Sequence, residues 1–321
     1  MTNLPKVIAK TKETVFGSHT ERSVYYELLS KWGKKYNIYL SLPLANIFYV
    51  NPNQLNLSEK KTYFQSSIDY TFCSKKDTPM FSIEFDGLGR GYSRGDEYIA
   101  RENTDTKDPF RKEKLEFKLR LAKSANYPFV IVSFEEITHL DQTEKLTILD
   151  GIIGQITKAK RFNELISEFL EEEHTILESL SDAELQEYIQ DKVVGLEVDA
   201  EIESDPIAKN AGEYNQKLVG LGITSETHIP LTESGVPDAD FPPHTLSDIK
   251  ALEKRIDALK NASRWGEKVS IQTEKGTVSR SVWVNEYQGL GFSSISLALN
   301  IADYLTFKAA YELLSDGKSR R

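Results

Sequence analysis

Apolar positions along the chain change spacing several times, and each change predicts an element. From Ser18 to Lys31 (SHTERSVYYELLSK), Val24, Leu28 and Leu29 recur at helical intervals behind Ser18 or Thr20 as N-cap. Ile38–Leu42 (IYLSL) and Ile47–Val50 (IFYV) carry the β-branched and aromatic residues of half-buried strands. SSIDYTF and MFSIEF flank the polar turn SKKDTP, the pattern of a hairpin with Asp69 on its first strand and Glu84 on its second. Residues 87–107 are glycine-rich, charged and aperiodic, which predicts a loop. Asp108 as N-cap and Pro109 at the first helical position then open a helix running to Lys123, with Leu115, Leu119 and Ala122 as its apolar stripe. FVIVSF has no alternation and reads as a buried strand parallel to its neighbours. This order predicts an α/β domain over 15–138 with a central mixed sheet flanked by helices.

Past residue 138 the pattern turns mainly helical. Residues 139–200 read as a helical region with a capping box at Ser181 and Glu184. Residues 201–246 are rich in Pro, Gly and acids and read as a linker or arm. Residues 247–321 form a small α+β region: a helix at 246–261, a hairpin (KVSIQT, EKG, TVSRSVWVN) and a long apolar helix at 295–314. That last helix could pack on its own domain or on a second copy.

Composition narrows the chemistry. The chain has 321 residues and one cysteine, Cys73, so no disulfide and no cysteine-ligated zinc site forms within it. No run of apolar residues is long enough to span a membrane, and MTNLPKVIAKTKETVFG lacks the apolar block of a signal peptide, so a cytoplasmic location is expected. The net charge of −9 would repel a polyanion, but it is unevenly spread. Residues 1–123 hold 21 Lys and Arg against 15 Asp and Glu, whereas residues 124–321 hold 19 against 34. The basic excess lies with the candidate site; the acidic half is left to dock a partner protein or form a homodimer.

Three acids stand out. Asp69 and Glu84 sit among residues that favour the interior, and Asp86 follows on the same strand face as Glu84. Like charges on neighbouring strands are unfavourable unless a cation bridges them, and hard divalent ions prefer carboxylate oxygens. The plain alternative is three solvent-facing acids on a half-exposed hairpin. Arg111, Lys112, Lys114, Lys118, Arg120 and Lys123 follow on the next helix, either facing phosphate or forming a solvated face; Arg90, Arg94 and Arg101 could clamp a backbone from the loop. The histidines are too scattered for a zinc site and read as surface or partly buried, GLGRGY lacks the lysine of a P-loop, and Trp283, Tyr287 and Phe292 suit a small core better than base stacking.

The stretch EFDG after SIDYTF, followed by DPFRKEKLEFKLRLAKSANYPFVIV, resembles the PD-(D/E)XK restriction-endonuclease-like superfamily, in a branch with very-short-patch-repair endonucleases. The resemblance covers residues 18–134. It implies a metal-dependent endonuclease using Mg²⁺ or Mn²⁺ on DNA rather than RNA, in repair, restriction or anti-phage defence. Asp69 and Glu84 would hold the metal, Asp86 would be a third ligand, and Glu21 matches the acid on the first helix. The superfamily's strand lysine falls on Asp86 here, so the catalytic cation would come from the next helix, through Arg111, Lys112 or Lys114; Arg90, Arg94, Arg101 and Lys118 would contact nucleic acid. The histidine that follows the acids in this branch is also absent. These departures equally suit an inactive nuclease-like scaffold serving a nucleic-acid-handling assembly.

Overall fold

Alternating apolar positions become strands wherever neighbouring residues allow pairing, and the sequence-predicted hairpin forms. The computed structural model describes residues 19–86, 91–100, 110–133, 146–177, 179–223, 225–231, 243 and 264–315. It is a mixed α/β protein whose larger sheet has the strand order β1-β2-β3-β6, formed by β1 (Asn37–Pro43), β2 (Ser67–Cys73), β3 (Pro79–Asp86) and β6 (Phe129–Ser133). Packing divides the chain into two units, Met1–Ser82 and Ile83–Arg321, with the division inside β3.

In the first unit α1 (His19–Trp32) precedes β1, which pairs antiparallel with β2 from Asn37 opposite Cys73 to Pro43 opposite Ser67. Phe72 and Phe81 stack with ring centroids 4.4 Å apart, and Tyr36 meets both edge-on. Leu28, Leu44 and Ile68 are fully buried beside them. The strand expected at Ile47–Val50 does not form. After Pro43 the chain makes the short helix α2 (Leu44–Ile47), and the Phe48 amide donates to Leu44 O. Phe48 is buried and Tyr49 fully exposed, so the apolar run anchors a turn through Phe48 and makes no ladder. Asn56 and Glu59 then form a capping box that starts α3 (Leu57–Gln65), a helix the apolar pattern does not announce.

The second unit begins within β3. Inside the stretch expected to be a loop, β4 (Tyr92–Arg94) and β5 (Glu97–Ile99) form a small hairpin around Gly95 and Asp96. Gly95 has φ +63°, a left-handed conformation that suits glycine, and Tyr92 and Tyr98 are buried. The helix expected to open at Pro109 behind an Asp108 cap is α4 (Arg111–Ser124), which starts two residues later with Phe110 at its N-cap; Leu115, Leu119 and Ala122 are buried as predicted, and Asp108 and Pro109 lie outside the described residues.

Helices α5 (Thr147–Glu172), α6 (His174–Leu177) and α7 (Asp182–Ser204) fill the region expected to be helical, and the Ser181–Glu184 capping box is present. The first part of the stretch expected to be a linker holds α8 (Pro206–Val219) and β7 (Glu226–Leu231), while 232–242 and 244–246 lie outside the described residues. Asp205 caps α8 through the Ile207 and Ala208 amides, and Pro206 takes the first turn, where its missing N–H is not needed. β7 pairs antiparallel with β8 (Arg264–Thr273), which pairs with β9 (Gly276–Asn285) as the expected hairpin. Gly266 lies under the Trp283 ring, and a Cβ there would sit 2.4 Å from ring carbons. Helix α9 (Ser294–Ser315) packs on β8, β9, α8 and α5, burying Leu297, Ala298, Ile301 and Ala302 inside its own chain. The helix expected at 246–261 lies outside the described residues. No helix among the described residues is long and apolar enough to cross a membrane.

Candidate active site

Two periodicities meet at the end of β3. Strand alternation puts Glu84 and Asp86 on one face, and Arg111 and Lys118, seven residues apart, share one face of α4 two turns apart. They pair in order. Lys118 Nζ lies 2.6 Å from Glu84 Oε1, and the Arg111 guanidinium is ion-paired with Asp86 Oδ1. Lys118 is buried because its aliphatic stem runs with the apolar face of α4, between Leu115, Leu119 and Leu121.

Asp86 is fully buried and well supplied with donors. Besides Arg111, its Oδ2 accepts from the Gly91 amide at 3.0 Å and from the Tyr98 hydroxyl. Burial pushes the Tyr98 phenol up to about 12, so it remains a donor at neutral pH. A Cβ at Gly91 would overlap the Tyr98 ring, which makes glycine necessary for this contact. Asp86, expected as a third metal ligand, is therefore engaged by at least three protein donors, one of them the Arg111 expected to stabilise developing charge.

The remaining predicted residues fall in different places. Lys112 is largely exposed and lies 3.7 Å from Glu116; Lys114 is half-buried on α4. Arg94 faces Glu97 at 3.7 Å across the small hairpin. Lys118, expected to contact nucleic acid or else to lie on a solvated face, is buried on Glu84, which corrects the solvated-face alternative for this residue. Arg90 and Arg101 lie outside the described residues. In the first unit Asp69 is half-buried on β2 and Glu21 half-buried in the first turn of α1. Both bear on Tyr70: its phenol is pushed strongly up by burial, then by the charges of Asp69 and Glu21, and its hydroxyl donates to Glu21 O at 3.1 Å. Among the described residues no group of three or more His, Cys, Asp or Glu is arranged to hold a metal ion. The carboxylate oxygens of Asp69 and Glu84 are hard donors of the kind Mg²⁺ or Mn²⁺ takes.

A second set of buried charges lies in the C-terminal layer. His228 on β7 is fully buried, a correction to the surface or partly buried position expected of it. Its Nδ1 lies 3.7 Å from Glu267 Oε1 on β8, and its Nε2 lies 3.6 Å from Asp303 Oδ1 on α9. Alternation puts Glu267 in line with Val269 and Ile271, so an acid on an apolar strand face was the signal in the sequence. Burial holds the Asp303 carboxyl well above the usual carboxylate range, with the charges of Glu226 and Glu267 adding to it. Tyr287 is buried against Tyr92, in keeping with the packing expected of it.

Compared with protein-family models, with curated proteins and with solved structures, the chain finds no match.

Proposed function

We propose that the chain is a divalent-metal-dependent endonuclease that hydrolyses phosphodiester bonds of DNA in preference to RNA, with Asp69 and Glu84 holding Mg²⁺ or Mn²⁺ and Glu21 assisting. The observation that carries this reading is Lys118 Nζ at 2.6 Å from Glu84 Oε1, buried, and delivered by the helix that follows the acidic strand. The resemblance lacks a lysine two residues after the second acid, and Lys118 supplies a cation at that acid from α4. It replaces Lys112 and Lys114 as the basic residue proposed for the chemistry.

A bound divalent ion would neutralise phosphate and make water a stronger nucleophile near neutral pH. The protein's own groups do the rest. Lys118 fixes one oxygen of Glu84 and places its positive charge beside the acid, where an incoming phosphate would be attracted. Arg111, by neutralising Asp86, removes a second negative charge from the strand end that would repel a polyanion. The basic excess of residues 1–123 supports attraction of a nucleic acid to this half, and the acidic remainder suits a protein partner or a second copy.

The test is cleavage of supercoiled DNA, linear DNA and RNA with Mg²⁺, Mn²⁺ or EDTA, beside the Asp69→Ala, Glu84→Ala double variant. Metal-dependent DNA cleavage that disappears in the variant is the expected result, and cleavage that survives there sinks the proposal. One observation favours a second reading, an inactive nuclease-like scaffold in a nucleic-acid-handling assembly: Glu84 and Asp86 are each already matched by a base from α4. Nucleic-acid binding without cleavage under every metal condition would select it.

A further inference from the structure

A cleft of about 370 Å³ opens in the second unit where the end of α4 and the start of β6 meet the β4–β5 turn and the loop 288–290. Its floor is apolar, made by the buried side chains of Leu119, Ala122, Phe129 and Leu290. Its rim is polar and exposed, made by Asp96, Lys123, Asn126 and Gln288. Three residues in left-handed backbone conformations line it: Gly95 (φ +63°), Asn126 (φ +48°) and Gly289 (φ +76°). Tight turns from three segments of the chain thus converge on one concavity, the kind of place where binding groups gather.

We infer that this cleft binds a single nucleobase or nucleoside. The charges on the rim select against an ion, because Asp96 and Lys123 already neutralise each other at 2.7 Å. Beside the half-buried Tyr127, the lining offers two primary amides, Asn126 and Gln288, neither engaged through its side chain among the described residues. Each amide presents a donor beside an acceptor, which is the pattern along the pairing edge of a base. The apolar floor suits the face of a heteroaromatic ring. The volume is at the small end of the ~300–1,000 Å³ of small-molecule sites, enough for one base with its sugar and too little for a run of nucleotides. A sugar alone would leave the floor uncovered, and a simple aromatic would leave both amides unused.

The experiment is calorimetric titration of the full chain, in EDTA, with adenosine, guanosine, cytidine and uridine, with ribose and indole as controls. EDTA separates this test from the nuclease proposal, since nucleosides bind without the metal that cleavage requires. At least one nucleoside is expected to bind saturably, one to one, and at least about tenfold more tightly than ribose or indole. Gln288→Ala and Asn126→Gly, the latter keeping the left-handed backbone, should each weaken that nucleoside about tenfold and leave indole unchanged. If Asn126→Gly lowers the melting temperature, Gln288→Ala decides alone. Absence of saturable nucleoside binding, binding no tighter than indole, or binding unchanged in Gln288→Ala overturns the inference.

Discussion

The end of β3 and the C-terminal layer both bury carboxylates, and they neutralise them differently. At β3 each acid has a basic partner from α4: Lys118 for Glu84 and Arg111 for Asp86, with Gly91 and Tyr98 also donating to Asp86. In the C-terminal layer Glu267 and Asp303 flank one imidazole at 3.6 to 3.7 Å, and the Asp303 carboxyl is displaced toward its protonated form. The first arrangement sets a basic side chain from α4 against each acid. The second depends on where protons sit. Water exclusion makes an unmatched charge costly in both places, and in the second burial favours the protonated form of Asp303.

Removing a cation from β3 tests the first half of the contrast and should have the largest effects. Arg111→Ala takes the guanidinium from a fully buried Asp86 while the Gly91 and Tyr98 donors stay, and a loss of about 3–5 kcal/mol in urea unfolding is expected. Lys118→Met keeps the apolar stem but removes the ammonium from Glu84, whose side chain is 12% exposed; about 2–3 kcal/mol is expected, the lower figure reflecting partial hydration. The same variant should abolish metal-dependent cleavage. If both variants unfold like wild type, the pairs are ornamental and the contrast disappears.

The sequence made part of this visible. Glu84 and Asp86 were legible as same-face residues, and α4 was legible as a helix, because both follow from period alone. The pairing was not, since choosing Lys118 over Lys112 or Lys114 depends on the distance between α4 and β3, which no local pattern encodes. Asp205–Pro206 carried the same helix-start punctuation as Asp108–Pro109, yet the acidic, proline-rich surroundings outweighed it. Tyr92 and Tyr98 around Gly95–Asp96 likewise spelled a two-residue hairpin within a stretch whose charge suggested a loop. The C-terminal acids were hidden for a related reason: Asp303 sits in a helix apolar enough to draw attention only to its packing.

Asp303→Asn tests the second half. Burial, with Glu226 and Glu267, raises the carboxyl, so the folded state keeps its proton to higher pH than the unfolded chain does. The stability linked to that proton is therefore full below the ordinary aspartate value of 3.8 and is lost as pH rises toward the folded value. Wild type should lose up to about 1.4 kcal/mol per pH unit relative to Asp303→Asn across that window. Unfolding curves measured from acid to neutral pH provide the difference directly. Parallel curves would mean that the layer neutralises Asp303 by other means and behaves like β3.

Asp205 sharpens the comparison with the smallest effect, because it is buried and yet pairs with no cation among the described residues. Burial raises its carboxyl, while Gln155 Nε2 donates to Oδ2 at 2.6 Å and the Ile207 and Ala208 amides donate to Oδ1. Dipoles therefore replace the lysine or arginine used at β3, including the amino-terminal amides of α8. Asp205→Ala removes every acceptor at once and should cost about 1–2 kcal/mol. Asp205→Asn keeps an oxygen for the helix amides, and Gln155 can turn its own amide to accept from the new NH₂ group; a cost below about 1 kcal/mol is expected. The double variant Asp205→Asn, Gln155→Ala separates the two contributions. If Asp205→Asn proves as damaging as Asp205→Ala, the full negative charge at the start of α8 is what matters, and Asp205 is neutralised by the helix dipole more than by its hydrogen bonds.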